Sequence, residues 1–168
     1  DEGAFERVVN YPRRGIGLTS LEHLHRWAAE QGVTLLDAAA RSDEVLDLRA
    51  AGSQGLRSFA DLIQRYSLRA TQASIGELLE ELVEELDLVR NLHEEGPEGE
   101  DRARNVAELI AGAVDFDAAL VEDREADEAA SAEGVDRFTE LDLFLQQVAL
   151  VADVDRLDPN AETVTLMT

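Results

Sequence analysis

The chain has 168 residues, 45% of them hydrophobic, enough to bury one sizeable core and close to the common size of a single domain. It has no cysteine, which excludes disulfides and thiolate metal sites. Its 15 basic residues are all arginine and face 37 acidic ones, a formal net charge of −22 that opposes nucleic-acid binding on average.

That average conceals an asymmetry. Residues 1–70 carry nine arginines against ten acids, whereas residues 71–168 carry six against 27, so any surface for a polyanion is expected in the first part. The lysine-free acidity has two readings, simple solubility or adaptation to a salty cytoplasm in which a highly charged surface stays hydrated. No run approaches the roughly 20 uncharged apolar residues of a membrane helix, and the start at Asp1-Glu2-Gly3 has neither a basic region nor an apolar one. A cytoplasmic protein with no membrane partner is expected. His23, His25 and His93 form no ligand pattern, so no metal site is expected either.

In chain order, Phe5, Val8 and Val9 give an apolar side to a helix over 5–10, which Tyr11-Pro12 ends. A loop rich in arginine and glycine follows. Thr19 with Glu22 reads as a capping box, opening a helix with the stripe Leu21, Leu24, Trp27 and Ala28 that ends near Gly32. Thr34 caps a short helix through Ala40. After a break at Gly52 to Gly55, a longer helix carries Leu56, Phe59, Leu62, Ile63 and Tyr66, with Arg57, Arg65 and Arg69 on its polar side. Ser74 with Glu77 is a second capping box, ahead of Leu78, Leu79, Leu82, Val83 and Leu86, and a further turn or helix runs from Asp87 to Glu94.

Gly96-Pro97-Glu98-Gly99 reads as a plain turn. The helix after it is striped by Val106, Leu109, Ile110, Val114 and Phe116, with Arg102 and Arg104 in its first turn, where the helix dipole disfavours them. Residues 122–133 are acidic, have little to bury and read as a mobile loop or frayed helix. Phe138, Leu141, Phe144 and Val148 restart a helix to about Val151. Beyond Asp158-Pro159-Asn160, residues 163–168 alternate as a strand that has no sheet partner in this chain.

The most informative segment is 10–21. Two glycines around Ile16 let the backbone turn tightly and approach another surface closely, while Ile16 anchors the turn in the core. The turn leads into a helix N-terminus, whose free amides and positive dipole end favour a phosphate, with the Thr19 and Ser20 hydroxyls and Arg13 and Arg14 close by. The same residues also read as a loop with a good cap and solvated or paired arginines, and spacing alone favours that plainer reading.

Arg57, Arg65 and Arg69 are expected to pair with nearby carboxylates, whereas Arg102 and Arg104 read either as attracting an anionic partner or as a solvated pair, the first slightly favoured. Glu80-Glu81 and Glu84-Glu85 read as a solvated helix face, not as catalytic or metal-binding carboxylates. There is no lysine for a phosphate loop and no nucleophile elbow, so no catalytic residue is assigned.

Around Gly15-Ile16-Gly17, the run "AFERVVNYPRRGIGLTSLEHL" resembles the start of the 2B subdomain of UvrD-, PcrA- and Rep-type superfamily 1 DNA helicases, and is most like the UvrD version. At the other end, "AETVTLMT" over 161–168 resembles the family's return to its motor motif V, and "VALVADVDRLD" over 148–158 resembles the approach to it. The resemblance implies that 1–160 is an all-α, compact helical bundle inserted in a RecA-like motor domain, and that 161–168 starts the strand re-entering the second motor domain.

It further implies that Gly15, Ile16 and Gly17 contact duplex DNA at a single-strand/double-strand junction, with Thr19 and Ser20 as backbone or hydroxyl phosphate contacts and Arg13 and Arg14 as supporting charge. The other implied partners are the motor subdomains of the same chain and repair proteins, in a cytoplasmic, nucleoid-associated setting. ATP and Mg2+ belong by resemblance to the parent 3′–5′ helicase, with no cofactor held by this segment. An alternative reading is a protein-interaction and autoinhibitory module whose acidic surface binds partners, not DNA. A third, an unrelated free-standing bundle, requires both terminal matches to be accidental.

Overall fold

The computed structural model describes residues 2–126 and 137–155. Among them the chain is all helical: α1 (Glu2–Val8), α2 (Leu18–Gln31), α3 (Leu35–Ala40), α4 (Ala50–Arg69), α5 (Ile75–Glu85), α6 (Leu88–His93), α7 (Pro97–Ala126) and α8 (Arg137–Asp155). The expected all-α class is therefore observed. The expected strand over 163–168 lies outside the described residues, as does most of 122–133, whose first residues belong to α7.

Two hydrophobic clusters organise the helices into two lobes. In the first, Phe5 and Val9 from the α1 end, Ile16 from the turn after it, Leu24 and Ala28 from α2, and Leu56 and Phe59 from α4 are buried together with Leu35, Ala38 and Ala39 of α3. The Phe5 and Phe59 rings meet edge to face, 5.4 Å apart. In the second, Ile75 of α5, Ala113 of α7 and Phe144 of α8 are buried, with Leu79, Leu109, Phe116 and Leu141 packed around them. Among the described residues this core holds fewer buried side chains than the first.

Helix boundaries follow local chemistry. The first helix spans Glu2–Val8 where 5–10 is expected, and three further helix starts differ from the sequence expectation. The helix expected to start at a Thr19 cap starts at Leu18, with Gly17 as N-cap in extended backbone (φ −91, ψ 167) and no side-chain cap. Ile16 is 4% exposed, so the core holds the chain just before the helix and leaves no room for two further loop residues. Thr19 is thereby in the first turn and forms no capping box. The C-terminal stop at Gly32 is as expected, with left-handed φ of 66° and the Val33 N–H donating to the Ala28 carbonyl.

The expected break at Gly52–Gly55 is instead the first part of α4, which begins at Ala50. Each of these glycines costs a helix about 1 kcal/mol relative to alanine, and what offsets it is close packing. A Cβ on Gly55 would lie 2.2 Å from the Arg14 carbonyl oxygen, and one on Gly52 would lie 2.8 Å from the Ser20 hydroxyl. The expected plain turn at 96–99 is likewise shortened, because α7 begins at Pro97, a residue suited to the first helical position. Gly99 then fits against the Leu92 carbonyl, where a Cβ would be 1.8 Å away.

The other two caps form as read. Thr34 Oγ1 accepts the Asp37 N–H at 3.1 Å, and Ser74 Oγ accepts the Glu77 N–H at 3.3 Å while Glu77 accepts the Ser74 N–H at 3.1 Å. The N-terminus of α5 gains a further partner from α7. Asp117 accepts the Ile75 and Gly76 N–H groups at 3.1 and 2.7 Å.

Arg57, Arg65 and Arg69 pair with carboxylates as expected, with Asp43, Glu85 and Glu81, the last two at 2.5 and 2.6 Å. The anionic partner expected for Arg102 and Arg104 is internal. Arg102 pairs with Glu95 and Arg104 with Asp101, since the early start of α7 moves both out of its first turn and beside these carboxylates.

Candidate functional site

The turn between α1 and α2 is built from inside outward. Asn10 Oδ1 accepts the Arg14 N–H at 2.8 Å and the Ile16 N–H at 3.4 Å, and Asn10 Nδ2 donates to the Ile16 carbonyl at 2.9 Å. One amide side chain thus closes the loop in place of missing backbone bonds. Ile16 points into the first core, and Gly15, with φ +73, supplies the left-handed residue that lets the chain reverse.

Arg14 is partly buried and its guanidinium is turned back under the turn. Its Nη1 lies 3.0–3.3 Å from the carbonyls of Val8, Val9, Tyr11 and Pro12, which share its two N–H donors, and the group lies 5.3 Å from the centre of the Phe59 ring. Loss of solvent lowers its pKa from the ordinary arginine value. Its charge serves the C-terminal carbonyls of α1. Arg13, its neighbour, is exposed and forms no ion pair among the described residues.

On the outer side, Gly15, Gly17, Thr19 and Ser20 line one pocket of about 330 Å³ with Asp47, Arg49, Ala51 and Gly52. The structure thus brings together four of the seven sequence-derived site residues, with Ile16 buried and Arg14 facing inward, while Arg13 is exposed and does not line the pocket. Two helix N-termini open on this pocket, those of α2 at Gly17 and α4 at Arg49, and neither has a side-chain cap. By contrast, α3 and α5 both have capping boxes. A Cβ on Gly17 would meet nothing within 4 Å, so this face is open to an approaching surface.

The electrostatic setting is uneven. From Arg57 to Arg104, every arginine is ion-paired, whereas Arg7, Arg13, Arg26 and Arg49 have no carboxylate within 4 Å among the described residues. A larger groove of about 770 Å³ between α1, α3 and α4 is lined by Phe5, Val8, Leu36 and Ile63, has no basic side chain and stands apart from this cluster. No group of His, Asp and Glu among the described residues is arranged to hold a metal, and no described helix is long and apolar enough to cross a membrane.

No family model matches the chain. It is similar over its whole length to the ATP-dependent DNA helicase PcrA of Bacillus subtilis, with 30% identity over 175 residues, and to that of Leuconostoc citreum, with 28% over 169. DNA helicase II of Haemophilus influenzae is 27% identical over 169 residues, again covering all of this chain. Its homologues are UvrD-family superfamily 1 DNA helicases. The chain spans only about a fifth of their length (21–22%), as a subdomain of such a helicase does.

The site contains features that the sequence alone did not reveal. Arg49 joins the turn through a pocket although 32 residues separate it from Gly17, and nothing local marks it. The glycine pair of α4 did carry a signal, but the signal was read as a helix break. Asn10 lies within the recognised run, and an Asn placed before a Pro and a glycine turn is a residue type that caps loops.

Proposed function

We propose that this segment is the 2B-type subdomain of an ATP-dependent 3′–5′ DNA helicase and contacts the phosphate backbone of duplex DNA beside a single-strand/double-strand junction. One observation carries the reading: two uncapped helix N-termini and the exposed glycine turn share a pocket with an arginine that has no ion pair among the described residues, whereas every arginine from Arg57 to Arg104 is ion-paired. Backbone amides, Thr19 and Ser20 hydroxyls, and Arg13 and Arg49 suit phosphates and duplex shape, and nothing in the pocket offers a base-reading array.

In this reading the segment regulates unwinding through its orientation to the motor subdomains of the same chain, to which residues 161–168 return. ATP and Mg2+ are used in those motor subdomains, and repair proteins are further partners. Such a domain would work in the cytoplasm at the nucleoid.

The test is an anisotropy titration of the chain with a hairpin duplex bearing a 3′ tail, across a salt series. Non-specific binding is expected, with a Kd of about 10⁻⁶ to 10⁻⁴ M that weakens as salt rises. Gly17→Val separates contact from folding, because φ of −91 suits any residue and the added atoms meet open space. It should weaken binding about tenfold or more while melting cooperatively near the wild-type temperature. No binding at any salt would remove the DNA reading and leave the acidic second lobe, as a protein-binding surface, the better account.

A further inference from the structure

We propose that Gly55 and Asn10 are positioning residues for the turn, forming from both sides a rigid seat that sets where its amides stand, and acting on DNA only through it. The inference rests on the duplex-contact reading above. From the α4 side, the constraint is backbone against backbone. A Cβ on Gly55 would lie 2.2 Å from the Arg14 carbonyl oxygen, 3.2 Å from its carbon and 3.0 Å from Ile16 Cγ1, so the turn sits directly on the helix with no side chain between them.

From the α1 side, Asn10 grips the same residues through the amides of Arg14 and Ile16 and the carbonyl of Ile16. Arg14 adds its bonds to the carbonyls of Val8, Val9, Tyr11 and Pro12. Residues 14–16 are thus fixed by a helix below and a side chain behind, while Gly17 above them faces open space.

Helix propensity does not call for glycine at this position, since alanine is the better helix former. What glycine permits here is the entry of a backbone carbonyl, and so a particular height of the turn above the helix. Amide donors are useful to a phosphate only when held within about 0.5 Å of hydrogen-bonding distance, which is what a seat of this kind provides.

The experiment compares wild type, Gly55→Ala, Asn10→Ala and Gly17→Val in the tailed-hairpin titration, with circular dichroism and melting recorded for each. Gly55→Ala must push the Arg14 carbonyl outward. We expect it to keep its helical signal, to bind about tenfold more weakly, as for loss of one or two amide–phosphate bonds, and to keep the wild-type slope of log affinity against log salt. The unchanged slope separates displaced amides from lost charge, because Arg13 and Arg49 are still present. Asn10→Ala should behave in the same way and decides the matter if Gly55→Ala does not fold. Wild-type binding by Gly55→Ala and Asn10→Ala, beside a weakened Gly17→Val, would overturn the seat and leave the contact standing. So would a weakened variant whose salt slope also falls. Wild-type binding by all three variants would instead remove the duplex-contact reading itself.

Discussion

Arg49 is exposed at the N-cap of α4 with no carboxylate within 4 Å among the described residues, and Arg13 is exposed on the loop before Gly15, whereas Arg14 directs its donors to the carbonyls at the end of α1. A cation that neutralises a phosphate releases counterions, so Arg13→Ala and Arg49→Ala should each reduce the magnitude of the salt slope of DNA binding by about one. Arg14→Ala should leave that slope unchanged. It should instead cost about 2 kcal/mol of stability, because it removes charged hydrogen bonds to partly buried carbonyls and the contact with Phe59. Urea denaturation and titration of the same three variants check this, and a slope change in Arg14→Ala would overturn the division. Sequence order placed Arg13 and Arg14 together because only distance along the chain was visible; the structure turns Arg14 alone onto the carbonyls of residues 8–12 and the ring of Phe59, 45 residues away.

At the scale of helices, capping decides where chain direction changes, and its outcome depends on what precedes the cap. Ser74 and Thr34 sit in extended backbone ahead of their helices, so their boxes with Glu77 and Asp37 close. Thr19 has an equally suitable partner in spacing, but Ile16 is already locked in the core and Gly17 takes the N-cap position. Ser74→Ala is therefore expected to cost about 1 kcal/mol of stability and Thr19→Ala under about 0.5 kcal/mol, measured by thermal or urea unfolding. An equal loss in both would mean that Thr19 caps α2 after all. The stripes of α2, α4 and α5 were legible from periodicity, since burial follows the 3.6-residue repeat. The glycines of α4 were not, because a glycine that breaks a helix and one that admits another backbone look alike until the neighbour is known.

For the molecule as a whole, polar contacts span the junction of the two lobes. Arg65 and Arg69 on α4 hold Glu85 and Glu81 on α5, and the Tyr11 hydroxyl donates to Glu95 at 3.3 Å. The Arg69 and Arg65 hydrogen bonds keep the Glu81 and Glu85 carboxyls below the usual glutamate range, while burial, and then Glu85, push the Tyr66 hydroxyl up to about 12. A carboxylate whose pKa is lowered on folding stabilises the fold above its unfolded value, near 4.3, and loses that contribution as pH falls through the folded value. Acid also relieves the repulsion within a chain of net charge −22, which acts in the opposite direction. The Arg65→Gln/Arg69→Gln variant separates the two, because it keeps nearly the same acidic surface but removes the paired cations. Wild type should melt a few degrees above this variant at neutral pH, a modest gap because the pairs are exposed to water and screened. The gap should close as pH falls below about 4 and the two glutamates protonate. A gap that stays constant with pH would show that the arginines stabilise the junction by packing along α4 and not by charge.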